Sequence, residues 1–163
     1  MKFFLGTIFA LLLFAQTSCQ QAVDIEKEKE AILNVLKEEG EAALAKDAER
    51  MFALHVQDET ETRLEMGQYG HTRYSGWEEV KGLLGDYLGG EGELGGDNPV
   101  NTRDNVVIKV NGNTAWLVCD NKWEWTVDGV KDGYSNVQIT FLEKIQGKWK
   151  ISFAAYYNLP MSE

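Results

Sequence analysis

Histidine and cysteine are scarce in this chain, with two of each among 163 residues. No cluster of His, Cys, Asp or Glu has metal-ligand spacing, so no metal centre is expected, and no motif calls for a cofactor. Positive charge is short as well. The formal net charge is −10 and no basic run occurs, which argues against a nucleic acid or an anionic membrane surface as partner. The acids are spread over helices and loops and read as a solvated surface. The stretch Gly89-Gly90-Glu91-Gly92-Glu93-Leu94-Gly95-Gly96 lacks a Lys-Ser/Thr after its glycines, follows a helix instead of a strand, and carries two Glu that repel phosphate. That excludes a phosphate loop. It reads as a surface loop over one end of a sheet, in the place of a lid. No internal repeat or second domain is evident.

Residues 1–19 read as a targeting segment. Lys2 is a minimal positive start, and Phe3 to Ala15 is an apolar run too short for a comfortable membrane span. Ser18-Cys19 follows it directly and resembles the lipobox of bacterial lipoproteins in its relaxed, Bacteroidetes-type form, with Gln16 where the usual pattern has Leu. The resemblance implies lipidation of Cys19 and a place in the cell envelope. Plain secretion with an incidental Cys is the alternative, and membrane contact is expected only through such an anchor. The remaining residues, 20–163, form one domain, large enough to bury about 68–70% of its unfolded surface without disulfides. Cys119 is then unpaired, and it reads as a buried, inert thiol because His55 and His71 both lie in the N-terminal half.

The C-terminal half is a run of antiparallel strands. Asn105–Val110 ends at Asn111-Gly112, a pair suited to positive φ at both centres of a tight turn. Thr114–Val127, Tyr134–Ile145 and Trp149–Tyr157 follow, separated by Asp128–Gly133 and Gln146-Gly147. Alternation places Ala115, Leu117, Cys119, Asn121, Trp123, Trp125 and Val127 on one face. By hydrophobicity, Val137, Ile139, Phe141 and Ile145 join that face from the third strand, and Trp149, Ile151, Phe153, Ala155 and Tyr157 from the fourth. A sheet greasy on one side needs a cover, which the N-terminal half must supply.

That half reads as helices. Asp24 caps a helix to about Ala45, with Ile25, Ile32, Leu36 and Ala43 on one stripe and Val35 beside it. Glu26 to Glu30 form its solvated start, and Gly40 loosens it locally. Asp47 caps a short helix from Ala48 to His55, and Thr60–Met66 alternates as a strand ending at Gly67-Gln68-Tyr69-Gly70. Ser75-Gly76-Trp77-Glu78 reads as a capping box opening a helix with Trp77, Val80, Leu84, Tyr87 and Leu88 on one side, ended by Gly89-Gly90.

This order is similar to that of the nuclear-transport-factor-2-like superfamily, and in detail to its SnoaL-like bacterial branch. The matching pieces are Ala31-Ile32 in an acidic first helix, Lys46-Asp47-Ala48, Tyr74-Ser75-Gly76-Trp77-Glu78-Glu79-Val80, Asn111-Gly112-Asn113-Thr114-Ala115-Trp116-Leu117 and Gly147-Lys148-Trp149-Lys150-Ile151. The resemblance implies an α+β fold in which a curved antiparallel sheet wraps around N-terminal helices as a cone, with a pocket at the open end. It also implies a homodimer through the outer sheet face, for which Trp116, Tyr134 and Tyr156 are candidates.

The expected ligand-binding residues are Trp77, Asn121, Trp123, Trp125 and Tyr157, with Tyr69 or His55 able to join from the helical side. An aromatic wall carrying a few fixed polar groups suits a small apolar or sugar-like molecule. Catalysis has less support. Asp120 and Glu124 face outward on the long strand, which leaves His55, Asp58 and Glu61 near the junction of second helix and first strand, and His71 in a loop. Tyr156 and Tyr157 stand where many SnoaL-like proteins have a His. Three functions remain open: a small-molecule-binding domain, an isomerase or dehydratase resembling ketosteroid isomerase, and a dimeric scaffold whose cone is filled by Trp side chains.

Overall fold

The computed structural model describes residues 24–89 and 96–159. The targeting segment, Cys19 and most of the glycine-rich loop lie outside the described residues.

Helix α1 spans Ile25–Leu44, and its cap is the expected one: the Asp24 carboxylate accepts the Lys27 amide at 3.2 Å. Its buried side includes Ile32, Leu36 and Ala43, but also Glu39 and Gly40, while Ile25 is exposed. The start is not wholly solvated. Glu28 receives the Lys144 ammonium at 2.6 Å and the Trp149 indole N–H at 2.7 Å, which ties the helix to the sheet. Those two partners hold its carboxyl below the usual range, the lysine first. Helix α2, Ala48–Ala53, is capped by Asp47 and ends two residues before His55. Helix α3, Trp77–Gly89, buries Val80, Leu84 and Leu88. The carboxylate that reaches back to the Ser75 amide is that of Glu79, at 2.8 Å, not Glu78.

Six strands make one sheet in the order β2-β1-β6-β5-β4-β3. They are β1 Thr62–Gly67, β2 Gly70–Ser75, β3 Asp97–Asn111, β4 Thr114–Val127, β5 Val130–Ile145 and β6 Lys148–Asn158. All neighbours are antiparallel except β1 and β6. The sheet is curved and unclosed, with the helices against its concave side. Strand β2 was not anticipated: it takes up the segment read as a loop around His71. The β3–β4 turn also sits one residue later than expected. Asn111 pairs with Thr114, and of the two residues between them only Gly112 has positive φ, a pattern with a left-handed first centre alone.

The faces of β4 are as alternation assigns them through Trp125, while Val127, expected on the same face, is 42% exposed at the end of the strand. Those of β5 and the end of β6 are reversed. In β5 the buried residues are Asn136, Gln138, Thr140 and Leu142, while Phe141 and Ile145 are exposed. In β6 a bulge intervenes: Phe141 pairs with Phe153 but Leu142 pairs with Ile151, leaving Ser152 unmatched. Trp149 and Ile151 point inward before the bulge. After it Ala154 and Tyr156 line the inside, and Tyr157 is 43% exposed. A second bulge in β3 between Asp104 and Val107 puts Asn101 and Arg103 inward ahead of it and Val106, Ile108 and Val110 after it.

The interior has two clusters. One, of Ile32, Leu36, Leu117, Leu142, Trp149 and Ile151, fills the narrow end between α1 and the sheet. The other, of Met51, Val80, Leu84, Leu88 and Trp123, packs α2 and α3 at the wide end.

Candidate functional site

Between these clusters lies a cavity of about 700 Å³, open at the wide end. Its sheet wall is built in rows because side chains on adjacent strands stand opposite each other. Trp123 of β4 pairs with Tyr134 of β5, and the next row is Asn121, Asn136 and Asn158 across β4, β5 and β6. Gln138 and Tyr156 form the row beyond, and Glu65 of β1 is in register with Tyr156. Aromatic side chains thus sit toward the mouth and polar ones toward the floor. Trp125 meets Tyr134 edge to face with ring centroids 6.0 Å apart, and the Tyr87 hydroxyl of α3 bonds that of Tyr134.

Arg103 organises the floor. Its Nε–H donates to Gln138 Oε1 at 2.9 Å, its Nη2 to Glu39 Oε2 at 2.7 Å, and its Nη1 to both the Leu36 carbonyl and Asn101 Oδ1. Gln138 Nε2 donates to the Tyr156 hydroxyl at 3.3 Å, and that hydroxyl donates to Glu39 Oε1 at 3.2 Å. The circuit closes on Arg103. Both Glu39 oxygens are occupied, so this buried carboxylate is compensated. Burial pushes the Tyr156 phenol well above its ordinary range, and the Glu39 charge adds to the effect, so Tyr156 remains a neutral donor. Arg63 lies over the Tyr156 ring, 4.4 Å from its centroid, and its Nε–H donates to Glu65 at 2.7 Å.

Gly40 lets α1 approach this floor. A Cβ there would stand 2.9 Å from Asn101 Oδ1 and 3.4 Å from Arg103 Nη1. The glycine makes room for a polar network, which is a firmer reason for it than a loosened helix.

Of the residues expected to bind ligand, Asn121, Trp123 and Trp125 line the cavity. Tyr157 does not, because the bulge at Ser152 turns it to the outer face and brings Tyr156 in. Trp77 does not either: it packs edge to face on Phe52 at 5.5 Å and lies beside His55. Tyr69 is 96% exposed. Tyr134 and Tyr156, proposed for an outer contact, are cavity residues; Trp116 is on the outer face.

The catalytic candidates separate. His55 and Glu61 meet, with Nδ1 and Oε1 2.8 Å apart, but both are 1% exposed and neither lines the cavity. Among the described residues, His55 Nε2 and Glu61 Oε2 have no hydrogen-bond partner. Burial raises the Glu61 pKa, against the opposing pull of the His55 hydrogen bond. Asp58 is exposed and accepts the Thr60 hydroxyl and amide, which lower its pKa. His71 is exposed on β2. Cys119 is buried on the concave side, where burial pushes its thiol up to about 11. Among the described residues no group of three or more His, Cys, Asp or Glu is placed to hold a metal ion.

Sequence reasoning missed Glu39, Arg63, Arg103, Asn136, Gln138 and Tyr156. Inward polar residues on β5 could have been found from register, since Asn136 and Gln138 lie opposite Asn121 and Cys119. Nothing local marks Arg103 or Glu39, which become significant only when α1 crosses β3.

No family model and no curated protein matches the sequence. Solved structures do. An NTF2-like protein with a cystatin-like fold from Novosphingobium aromaticivorans superposes with a TM-score of 0.65 at 17% identity, over 85% of this chain and 86% of that one. An NTF2-like superfamily protein from Salmonella enterica gives 0.64 at 16% identity, over 85% and 96%. A protein from Streptomyces avermitilis, described as a candidate dehydratase of the NTF2-like family, gives 0.65 at 15% identity, over 84% and 99%. The fold is the NTF2-like, cystatin-like one. Identities this low carry the fold and nothing about activity.

Proposed function

We propose that this chain is a small-molecule-binding domain of the SnoaL-like kind. The observation that carries the reading is the cavity itself: about 700 Å³, aromatic toward its mouth and lined at the floor by side chains bonded to one another. Preorganised polar groups in an otherwise apolar pocket fix the orientation of a ligand. A cone filled by Trp side chains, as a pure scaffold requires, would leave no such space. Native mass spectrometry of the mature domain after incubation with a metabolite extract tests the proposal. A retained small-molecule mass is expected, and a clean protein mass across a broad extract would remove the reading.

An isomerase or dehydratase reading has one observation in its favour, apart from the description of the Streptomyces protein. Tyr156 is a buried neutral phenol aimed at a carboxylate in the cavity, the sort of donor that stabilises a developing oxyanion. The base would have to be Glu65 or the exposed Asp86 of α3, because Glu39 is fully engaged and the His55–Glu61 pair stands away from the cavity. Binding is preferred because Glu65 is itself held by Arg63.

Two further proposals complete the reading. The chain acts in the cell envelope, released or held by a lipid on Cys19, which metabolic labelling with a fatty acid would detect and a Cys19→Ser variant would abolish. It pairs with a second copy through the convex face, where Trp116, Phe141 and Phe153 lie side by side on β4, β5 and β6.

A further inference from the structure

We propose that the cavity takes a neutral polyhydroxylated ring, a sugar or cyclitol, and that the asparagine row on its sheet wall recognises it. This rests on the ligand-binding reading above and gives it a chemical class.

Arg103 can only donate hydrogen bonds, and that fixes an entire chain of amides. Its Nη1 requires the oxygen of Asn101 to face it at 2.7 Å, so Asn101 Nδ2 points onward to Asn121 Oδ1 at 2.8 Å. Asn121 Nδ2 in turn donates to Asn136 Oδ1 at 3.0 Å, and Asn136 Nδ2 to Asn158 Oδ1 at 3.4 Å. The row runs in one direction from β3 to β6. Each amide carries two N–H groups and an oxygen with two lone pairs. Asn121 and Asn136 therefore each keep one donor and one acceptor beyond the row.

Both residues are almost wholly buried, at 1% and 3% exposure, and both line the cavity. Their spare capacity can be met by what occupies it. A hydroxyl is the small group that gives and takes through the same atom, so it can answer a spare N–H or a spare lone pair. On the floor a charged occupant meets no uncompensated countercharge, because Arg103 is paired with Glu39 and Arg63 with Glu65, and Asp86, the remaining acid of the lining, is on α3 and exposed to solvent. An apolar ring would leave the amide groups stranded, at a cost of about tenfold in affinity or more for each. Above the row, Trp123, Trp125 and Tyr134 offer apolar faces to the C–H surface of a ring.

Calorimetry and saturation-transfer NMR on the mature domain decide the matter. The probes are neutral hexoses and myo-inositol, the corresponding uronic acids and amino sugars, and a steroid of similar size. Binding of at least one neutral polyol is expected, with its charged counterparts weaker by about tenfold. Asn136→Leu should weaken it by about tenfold or more. Asn158→Leu, at the exposed end of the row and outside the core, should weaken it in the same direction without unfolding the protein. Tighter binding of the steroid, equal binding of the charged sugars, or polyol binding unaffected by both variants would overturn the assignment. If no probe binds but the metabolite extract leaves an adduct, the polyol class is wrong and the cavity is still a binding site. If neither binds, both proposals fall.

Discussion

Strands β4, β5 and β6 each send one side chain into two transverse rows. On the concave side stand Asn121, Asn136 and Asn158; on the convex side stand Trp116, Phe141 and Phe153. In a one-sided sheet the apolar row belongs inside and the polar row outside. Here they are exchanged over the middle of the sheet. Asn136 is 3% exposed, whereas Phe141 is 46% exposed with its ring against that of Phe153 at 5.6 Å. Burial of amides is tolerable because each finds a partner, and the partners trace back to Arg103. Exposure of a row of aromatics is tolerable if a second copy covers it. Each face departs from the ordinary pattern in a way that a bound molecule would explain.

The largest break of this contrast is Arg103→Met. It leaves Glu39 buried without its countercharge and removes the group that orients the asparagine row. A loss of about 3–5 kcal/mol in urea denaturation is expected, far beyond any single change on the convex face. A loss under about 1 kcal/mol would mean that the circuit is dispensable for stability.

The His55–Glu61 pair sharpens the contrast because it is buried without being fully partnered. Glu61 has its carboxyl pKa raised above the ordinary 4.5, chiefly by burial. The folded state therefore binds the proton more tightly than the unfolded state. The stability this contributes is complete below pH 4.5 and is lost as pH rises through the raised value. Glu61→Gln should lack that slope. Chemical denaturation of both proteins across this range should show the wild type losing stability relative to the variant as pH rises, by less than Arg103→Met costs. Parallel curves would show that Glu61 does not titrate there.

On the convex side, Phe141→Ser should cost only about 1 kcal/mol, since the residue is half exposed and its main loss is an edge contact. The effect on assembly should be larger than the effect on stability: light scattering is expected to report a dimer for the parent protein and a monomer for the variant. An unchanged mass would remove this face as the contact.

The smallest expected effect on stability belongs to Gly40→Ala. Helix propensity gains about 1 kcal/mol, and the new Cβ, 2.9 Å from Asn101 Oδ1, spends that gain by displacing the first amide of the row. The melting temperature should barely move while affinity for the cavity ligand falls. Unchanged affinity would show that Asn101 does not transmit to the wall.

Much of the fold was legible in the sequence because it rests on local signals. Asp24 and Asp47 cap helices where they were expected to, and β4 alternates without interruption from Thr114 to Trp123. The faces of β5 were not legible from hydrophobicity, which ranks Val137, Ile139 and Phe141 as core when they belong to the convex face. Tyr157 was misplaced for a different reason: nothing in Ile151-Ser152-Phe153 marks a residue that will be skipped. Asn121, Trp123 and Trp125 could be placed on the cavity wall because they share one strand. Arg103 and Glu39 could not, being 64 residues apart in sequence and joined only by the crossing of α1 over β3.

The skipped residue has a consequence for how such a pocket can change over generations. Ser152 is one codon, and because the bulge absorbs it, every later residue of β6 keeps the partner it would have in a regular strand without it. Deleting Ser152 would leave Ile151 and Tyr156 four residues apart on one face, so the phenol that Glu39 receives would stay on the floor. Pairing Ser152 regularly would instead turn every following side chain over, carrying Tyr156 to the surface and Tyr157 to the floor. The strand can thus gain or lose a residue at this point while the wall of the pocket keeps its chemistry.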